Sequence, residues 1–218
     1  MRVFLALTLP LETARVLARK RSDIEDSLFK DAMVWVPPAN YHMTIKYFGE
    51  QSREFQYAVR DIIVPMARSL SPIKLELDRL GCFPTGSNTP ENVVPRVLWA
   101  GLKDSERNTK SRSSVENTDE ELELLTIHNI AQRVEVACEK IGCEPAKMPF
   151  HPHVTLARCK EAATDSILAL LSDLRASNLG HAFVASELTL YESRLRGEGA
   201  EYRALWRLPL GDGAAKRS

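Results

Sequence analysis

Two of the five histidines in this sequence stand in matched frames. His42-Met43-Thr44-Ile45 and His153-Val154-Thr155-Leu156 share the order His, aliphatic or Met, Thr, aliphatic, and each follows a proline-containing loop. Both segments read as strands, in which residues two apart share a face. His42 therefore points with Thr44, and His153 with Thr155, while Met43, Ile45, Val154 and Leu156 turn towards a core. An imidazole beside a hydroxyl, backed by apolar side chains, suits acid–base chemistry on phosphate esters. Imidazole titrates near pH 6.5, so one copy can take a proton from water while the other gives one to a leaving oxygen. The threonine hydroxyls can donate to non-bridging phosphate oxygens. No metal or other cofactor is needed for such a step. A metal site is the rival reading, since His151 and His153 also lie two apart, but carboxylate or Cys ligands at recognisable spacing are missing. His128, within a helix, and His181, beside Gly180 in a loop, read as structural.

The elements that must carry these residues follow from apolar periodicity. Residues 2–9 read as a strand and residues 11–30 as a helix entered near Pro10. Val34-Trp35-Val36 is a short strand stopped by Pro37-Pro38, and residues 41–48 form the next, ended by Gly49. Phe55, Val59, Ile62, Met66 and Leu70 mark a second helix. Strands are expected around Leu75 and Leu77 and over 97–102, separated by a Gly/Pro/Asn-rich loop at 84–96. A polar, mobile loop is expected at 103–121, a helix over 122–141 closed by Gly142, a strand at 154–157 and a helix at 167–174. Phe183–Leu190 and Tyr202–Leu208 read as a closing strand pair, with a frayed tail at 211–218. Strand pairs that follow one another directly point to an α+β chain with mainly antiparallel sheets.

Bulk properties narrow the function classes. The chain has 29 Lys plus Arg and 29 Asp plus Glu, a formal balance of zero that argues against a broad grip on duplex DNA. No Gly-rich phosphate loop of the Walker or Rossmann kind occurs. The apolar opening run is broken by Pro10 and followed by Glu12 and Arg15, so it reads as a buried strand rather than a signal peptide. Cys82, Cys138, Cys143 and Cys159 form no Cys-x-x-Cys pair and read as reduced thiols. A cytoplasmic monomer without membrane contact is expected.

The wider motifs resemble the 2H phosphoesterase superfamily, specifically the RNA 2′,3′-cyclic phosphodiesterases historically called 2′-5′ RNA ligases. The likeness runs through Met1–Ala6, Trp35–Glu50, Gly81–Pro84, Pro95–Trp99, Pro149–Arg158, Leu188–Ser193 and Tyr202. It implies a single catalytic domain over 1–218, bilobal about a pseudo-twofold axis, with one His-x-Thr strand from each lobe lining a groove. The implied substrate is RNA ending in a 2′,3′-cyclic phosphate, opened by water to a 2′-phosphomonoester. The resemblance makes His42 the general acid, His153 the base, and Thr44 and Thr155 the phosphate holders, although a pseudosymmetric site could run either way. It also puts Arg158 and Tyr47, each five residues past its histidine, in contact with phosphate or base. Strict alternation sends both to the opposite face, so they reach the groove only if the strand bulges or ends. Lys46 shares the histidine face by that same alternation and would add charge near the phosphate. The 103–121 stretch is longer than the family's usual connection. A ligase forming a 2′-5′ linkage by the reverse chemistry, and a non-catalytic RNA-binding module, are the competing readings.

Overall fold

The computed structural model describes residues 1–25, 33–83, 96–105, 127–160, 178–196 and 199–211. Its strands are β1 (Arg2–Thr8), β2 (Met33–Trp35), β3 (His42–Glu50), β4 (Ile73–Phe83), β5 (Val97–Asp104), β6 (His153–Cys159), β7 (Asn178–Ala185), β8 (Glu187–Arg196) and β9 (Gly199–Pro209). The helices are α1 (Leu11–Glu25), α2 (Phe55–Ser69) and α3 (Ile127–Glu139), with a short 3-10 turn at Pro38–Asn40. Among the described residues no helix is long and apolar enough to cross a membrane.

All strand pairings are antiparallel, in the order β7-β4-β5-β6-β3-β1-β8-β9, with β2 alongside β6. The halves β6-β5-β4-β7 and β3-β1-β8-β9 mirror one another in order and meet at β3 and β6, where one residue pair, Met43 with Val154, carries the ladder. Each half thus contributes its His-x-Thr strand to the seam. The α+β, two-lobed antiparallel architecture expected from the sequence is the one observed.

The apolar runs explain the layering. In β1, Val3 to Leu7 are buried without interruption, as a strand covered on both faces requires. The two helices that follow the seam strands' side of the sheet are α2, packed on β9 and α3, and α3, packed also on β3. Their buried stripes are Val59, Ile63, Met66 and Ala67, and Ile127, Ile130, Ala131, Val134 and Cys138. Gly142 closes α3 with a positive φ of 80°. Its N–H donates to the Glu139 carbonyl at 2.9 Å, and the Cys143 N–H donates to that of Cys138 at 3.1 Å, the Schellman pattern.

Several boundaries differ from expectation. Phe183–Leu190 is not one strand: β7 ends at Ala185 and β8 begins at Glu187, with the break at Ser186. His181 accordingly lies in β7, where its Nε2 is 3.2 Å from the Thr13 hydroxyl of α1. Of the loop expected at 103–121, Lys103 and Asp104 belong instead to β5 and pair with Glu76 and Leu75, while residues 106–121 lie outside the described residues. The helix expected at 167–174, residues 84–95 of the loop expected at 84–96 and residues 212–218 of the tail expected at 211–218 lie outside the described residues.

Met43 is fully buried at the one β3–β6 bridge. Met43→Ala should lower the free energy of unfolding by about 2–5 kcal/mol in urea titration. A loss well below that range would show that the seam carries little of the core.

Candidate active site

The site is shaped by two missing steps in the β ladder. Along β3 the partners run Thr44 with Ala6, then Lys46 with Leu5, so Ile45 is left over as a bulge. Along β6 they run Thr155 with Trp99, then Ala157 with Leu98, so Leu156 is left over in the same place. A bulge inserts one residue and reverses the side-chain alternation beyond it. The burial of the two strands is the same over seven residues: half-buried His and Thr, buried Met43 or Val154, buried Ile45 or Leu156, then buried Lys46 or Ala157 and exposed Tyr47 or Arg158.

The reversal sorts the expected site residues. Tyr47 comes round to the face of His42 and Thr44, with 59% of its surface exposed. Arg158 does the same on the face of His153 and Thr155, opposite Val34 of β2. Lys46, expected on the histidine face, lies on the opposite one. It is buried, and its Nζ donates to Glu135 Oε1 of α3 at 2.7 Å and to the Glu144 carbonyl at 3.1 Å. It is spent on this internal ion pair and is not at hand for a phosphate in the groove.

Each imidazole is held in the same manner. His42 Nδ1 lies 2.7 Å from the Asn40 carbonyl oxygen, and His153 Nδ1 lies 2.7 Å from that of His151. A carbonyl only accepts, so Nδ1 carries the hydrogen in both rings and Nε2 is the atom free to exchange a proton. His42 Nε2 meets the Thr44 hydroxyl at 3.0 Å. The Asn40 amide in turn donates to the Ala200 carbonyl at 2.9 Å, tying the 3-10 turn to β9.

Aromatic walls surround each histidine, and they differ. The His42 ring packs 4.7 Å from Phe4 and edge-on to Tyr202 at 5.2 Å, with Tyr191 at 6.0 Å. His153 is edge-on to Phe83 at 5.0 Å, with His151 at 5.9 Å and Trp99 at 6.4 Å. His151 and Tyr202 are named in the sequence reading, but Phe4, Phe83, Trp99 and Tyr191 enter it only as parts of motif stretches. Their place depends on which cross-strand neighbour faces each triplet, which one strand alone does not reveal. Burial pushes the Tyr202 phenol up, and the charge of Arg158 opposes that shift.

Burial holds His42 down to about 4, with the charge of His153 pushing the same way and the Asn40 carbonyl opposing. His153 is also held below the usual imidazole range by burial, aided by His151 and opposed by the His151 carbonyl. Both rings are therefore neutral in the free site at pH 7. Among the described residues, no three His, Cys, Asp or Glu side chains gather as a metal site would need.

The sequence matches the LigT-like phosphoesterase family over residues 7–99 and 124–202. A protein of Aeropyrum pernix named RNA 2′,3′-cyclic phosphodiesterase is 27% identical over 175 residues, covering 80% of this chain and 84% of its own length. One of Geobacillus stearothermophilus with the same name is 23% identical over 95% of this chain, which spans only 56% of that relative. The crystal structure of Escherichia coli LigT complexed with 3′-AMP superposes with a TM-score of 0.66 at 23% identity, covering 96% of this chain and 97% of the other. That last likeness is one of fold.

The His153 wall depends on Gly81. A Cβ there would sit 2.3 Å from the Trp99 ring, which lies over the glycine across the β4–β5 ladder. Gly81→Ala should displace the indole, shift the tryptophan fluorescence and lower the melting temperature. An unchanged spectrum and melt would show that the ring is not held there. Stability should also depend on His42. Its folded pKa lies below the unfolded value near 6.5, so its contribution is complete above pH 6.5 and drains away as pH falls towards about 4. His42→Asn should flatten that part of the stability–pH curve, measured by denaturant titration.

Proposed function

The chain belongs to the LigT-like phosphoesterase family, and on that premise we propose that it opens RNA 2′,3′-cyclic phosphate ends to 2′-phosphomonoesters. The observation that carries this reading is the matched pair of imidazoles, each with Nδ1–H tied to the carbonyl two residues earlier and Nε2 left for proton transfer. The names of the Aeropyrum and Geobacillus relatives support the substrate class.

In the proposed reaction His153 Nε2 takes a proton from water as the water oxygen attacks phosphorus. The bond from phosphorus to O3′ breaks, and His42 Nε2–H delivers its proton to that oxygen. The product carries a 2′-phosphate and a free 3′-hydroxyl, and a proton passing back between the histidines resets the site. No metal enters the scheme. Because both rings are neutral in the free site, the acid gains its proton alongside the anionic phosphate, whose charge favours imidazolium. Thr44 and Thr155 hold the non-bridging oxygens, and Thr44 must turn its hydroxyl from His42 Nε2 to do so. The exposed Arg158 adds positive charge from the second half, and Tyr47 offers a ring face for a base. The whole is read as one catalytic unit working as a monomer in the cytoplasm.

A short RNA ending in a 2′,3′-cyclic phosphate, incubated with EDTA present, should yield 2′-phosphate ends. His42→Ala and His153→Ala should each cost about 100-fold or more in kcat. Full activity in either variant sinks the paired site, and activity abolished by EDTA sinks the metal-free scheme. A diester with an activated nitrophenoxide leaving group should restore turnover to the acid variant alone, which identifies the acid. The kcat/KM profile of the wild type should be a bell with its optimum below pH 6.5, since both free-enzyme imidazoles are held low. The limbs of kcat should move to higher pH, because the bound anion stabilises the protonated ring.

A further inference from the structure

Lys46 stands at the junction of the two halves in a way the proposed reaction does not use. The bulge at Ile45 turns its side chain away from the groove and inward, towards α3. Only 4% of the side chain is exposed, and its Nζ is 2.7 Å from Glu135 Oε1. The same carboxylate oxygen accepts the Ala146 N–H at 2.6 Å, while Nζ also donates to the Glu144 carbonyl. One ammonium and one carboxylate thus join β3, which carries His42, to α3 and to the connection that leaves α3 and enters β6 at His153.

Along the seam the direct ladder between the two histidine strands is thin, and beside it β2 adds three pairs to β6 and the Val36 N–H donates to the Leu156 carbonyl at 2.8 Å. β3 and β6 share one ladder pair, Met43 with Val154, whereas β1 and β3 share seven and β5 and β6 share five. The equivalent of Lys46 in the other half is Ala157, which can form no such link. The tie therefore exists once and runs from the first half to the second. An ammonium this deeply buried is costly unless paired, and Leu or Met would fill the space without that cost. What the charged pair adds is direction: the ammonium reaches both a side-chain oxygen and a backbone oxygen on the α3–β6 connection.

We propose that Lys46, through Glu135, is a positioning residue that sets the spacing of His42 and His153 across the seam. The inference rests on the two-histidine reading of the site. With the tie cut, each imidazole keeps its own carbonyl support, but the two no longer meet one phosphate at the required separation. A reaction that needs both proton transfers suffers, while one that needs only the base is spared.

The test compares Lys46→Met with the wild type on two substrates, a cyclic phosphate RNA end and an activated nitrophenyl phosphodiester, at a temperature where circular dichroism shows both proteins folded. Lys46→Met should lower kcat on the cyclic phosphate by about tenfold or more with KM changed little, and leave turnover of the activated diester near wild type. Lys46→Arg should recover most of the loss. If Lys46→Met does not fold, Glu135→Gln, which keeps an acceptor for Ala146, should show the same split to a smaller degree. Equal losses on both substrates, or undiminished turnover of the cyclic phosphate by a folded variant, would overturn the positioning role. Failure of the wild type to turn over the cyclic phosphate at all would instead sink the reading of the site.

Discussion

A strand has no freedom over where its side chains point until one residue is left out of the ladder, and just past each His-x-Thr triplet that happens, at Ile45 and at Leu156. Before each bulge, His and Thr share a face. After it, Tyr47 and Arg158 join them, and Lys46 is turned inward. Without the bulges the groove would be lined by histidine, threonine and lysine, with tyrosine and arginine lost to the other side. The composition of the site, the internal ion pair and the exposure of Arg158 all follow from this local fault in pairing, repeated once in each half.

The two halves share this plan but not its lining. Facing the bulged strand, β1 offers Ala6 opposite Thr44 and Phe4 opposite Tyr47, whereas β5 offers Trp99 opposite Thr155 and Val97 opposite Arg158. The bulky aromatic is thus exchanged between two positions. His42 ends beneath Phe4, Tyr191 and Tyr202, while His153 has Phe83, Trp99 and the exposed His151 beside it. Two imidazoles with equivalent backbone anchors therefore sit in unequal surroundings. Burial is the largest cause of the downward shift at each ring, so unequal walls act on the two imidazoles unequally.

Much of this was legible in the residues. The His-x-Thr frames show which pairs share a face, since nothing disturbs alternation over three residues. The apolar stripes locate α2 and α3, and Gly142 marks the end of α3 because only a left-handed residue closes that turn without strain. Lys46 was misplaced because parity was carried one step too far. A bulge shows itself in the partner strand's register, and no residue type at Ile45 or Leu156 announces it. Phe183–Leu190 reads as one strand for a related reason: Ser186 and Glu187 are a weak break between the apolar residues on either side, and the separation of β7 from β8 lies in their different partners, β4 and β1.

A sheet continuous through many bridges behaves as a plate, whereas here β3 meets β6 through Met43 and Val154 alone, with three β2–β6 pairs beside them. Shear within either half must break several hydrogen bonds at once, while a tilt between the halves strains only these two short ladders. His42 and His153 stand on either side of that seam, so their separation can change without either half being deformed and with both imidazoles still fastened to their own carbonyls.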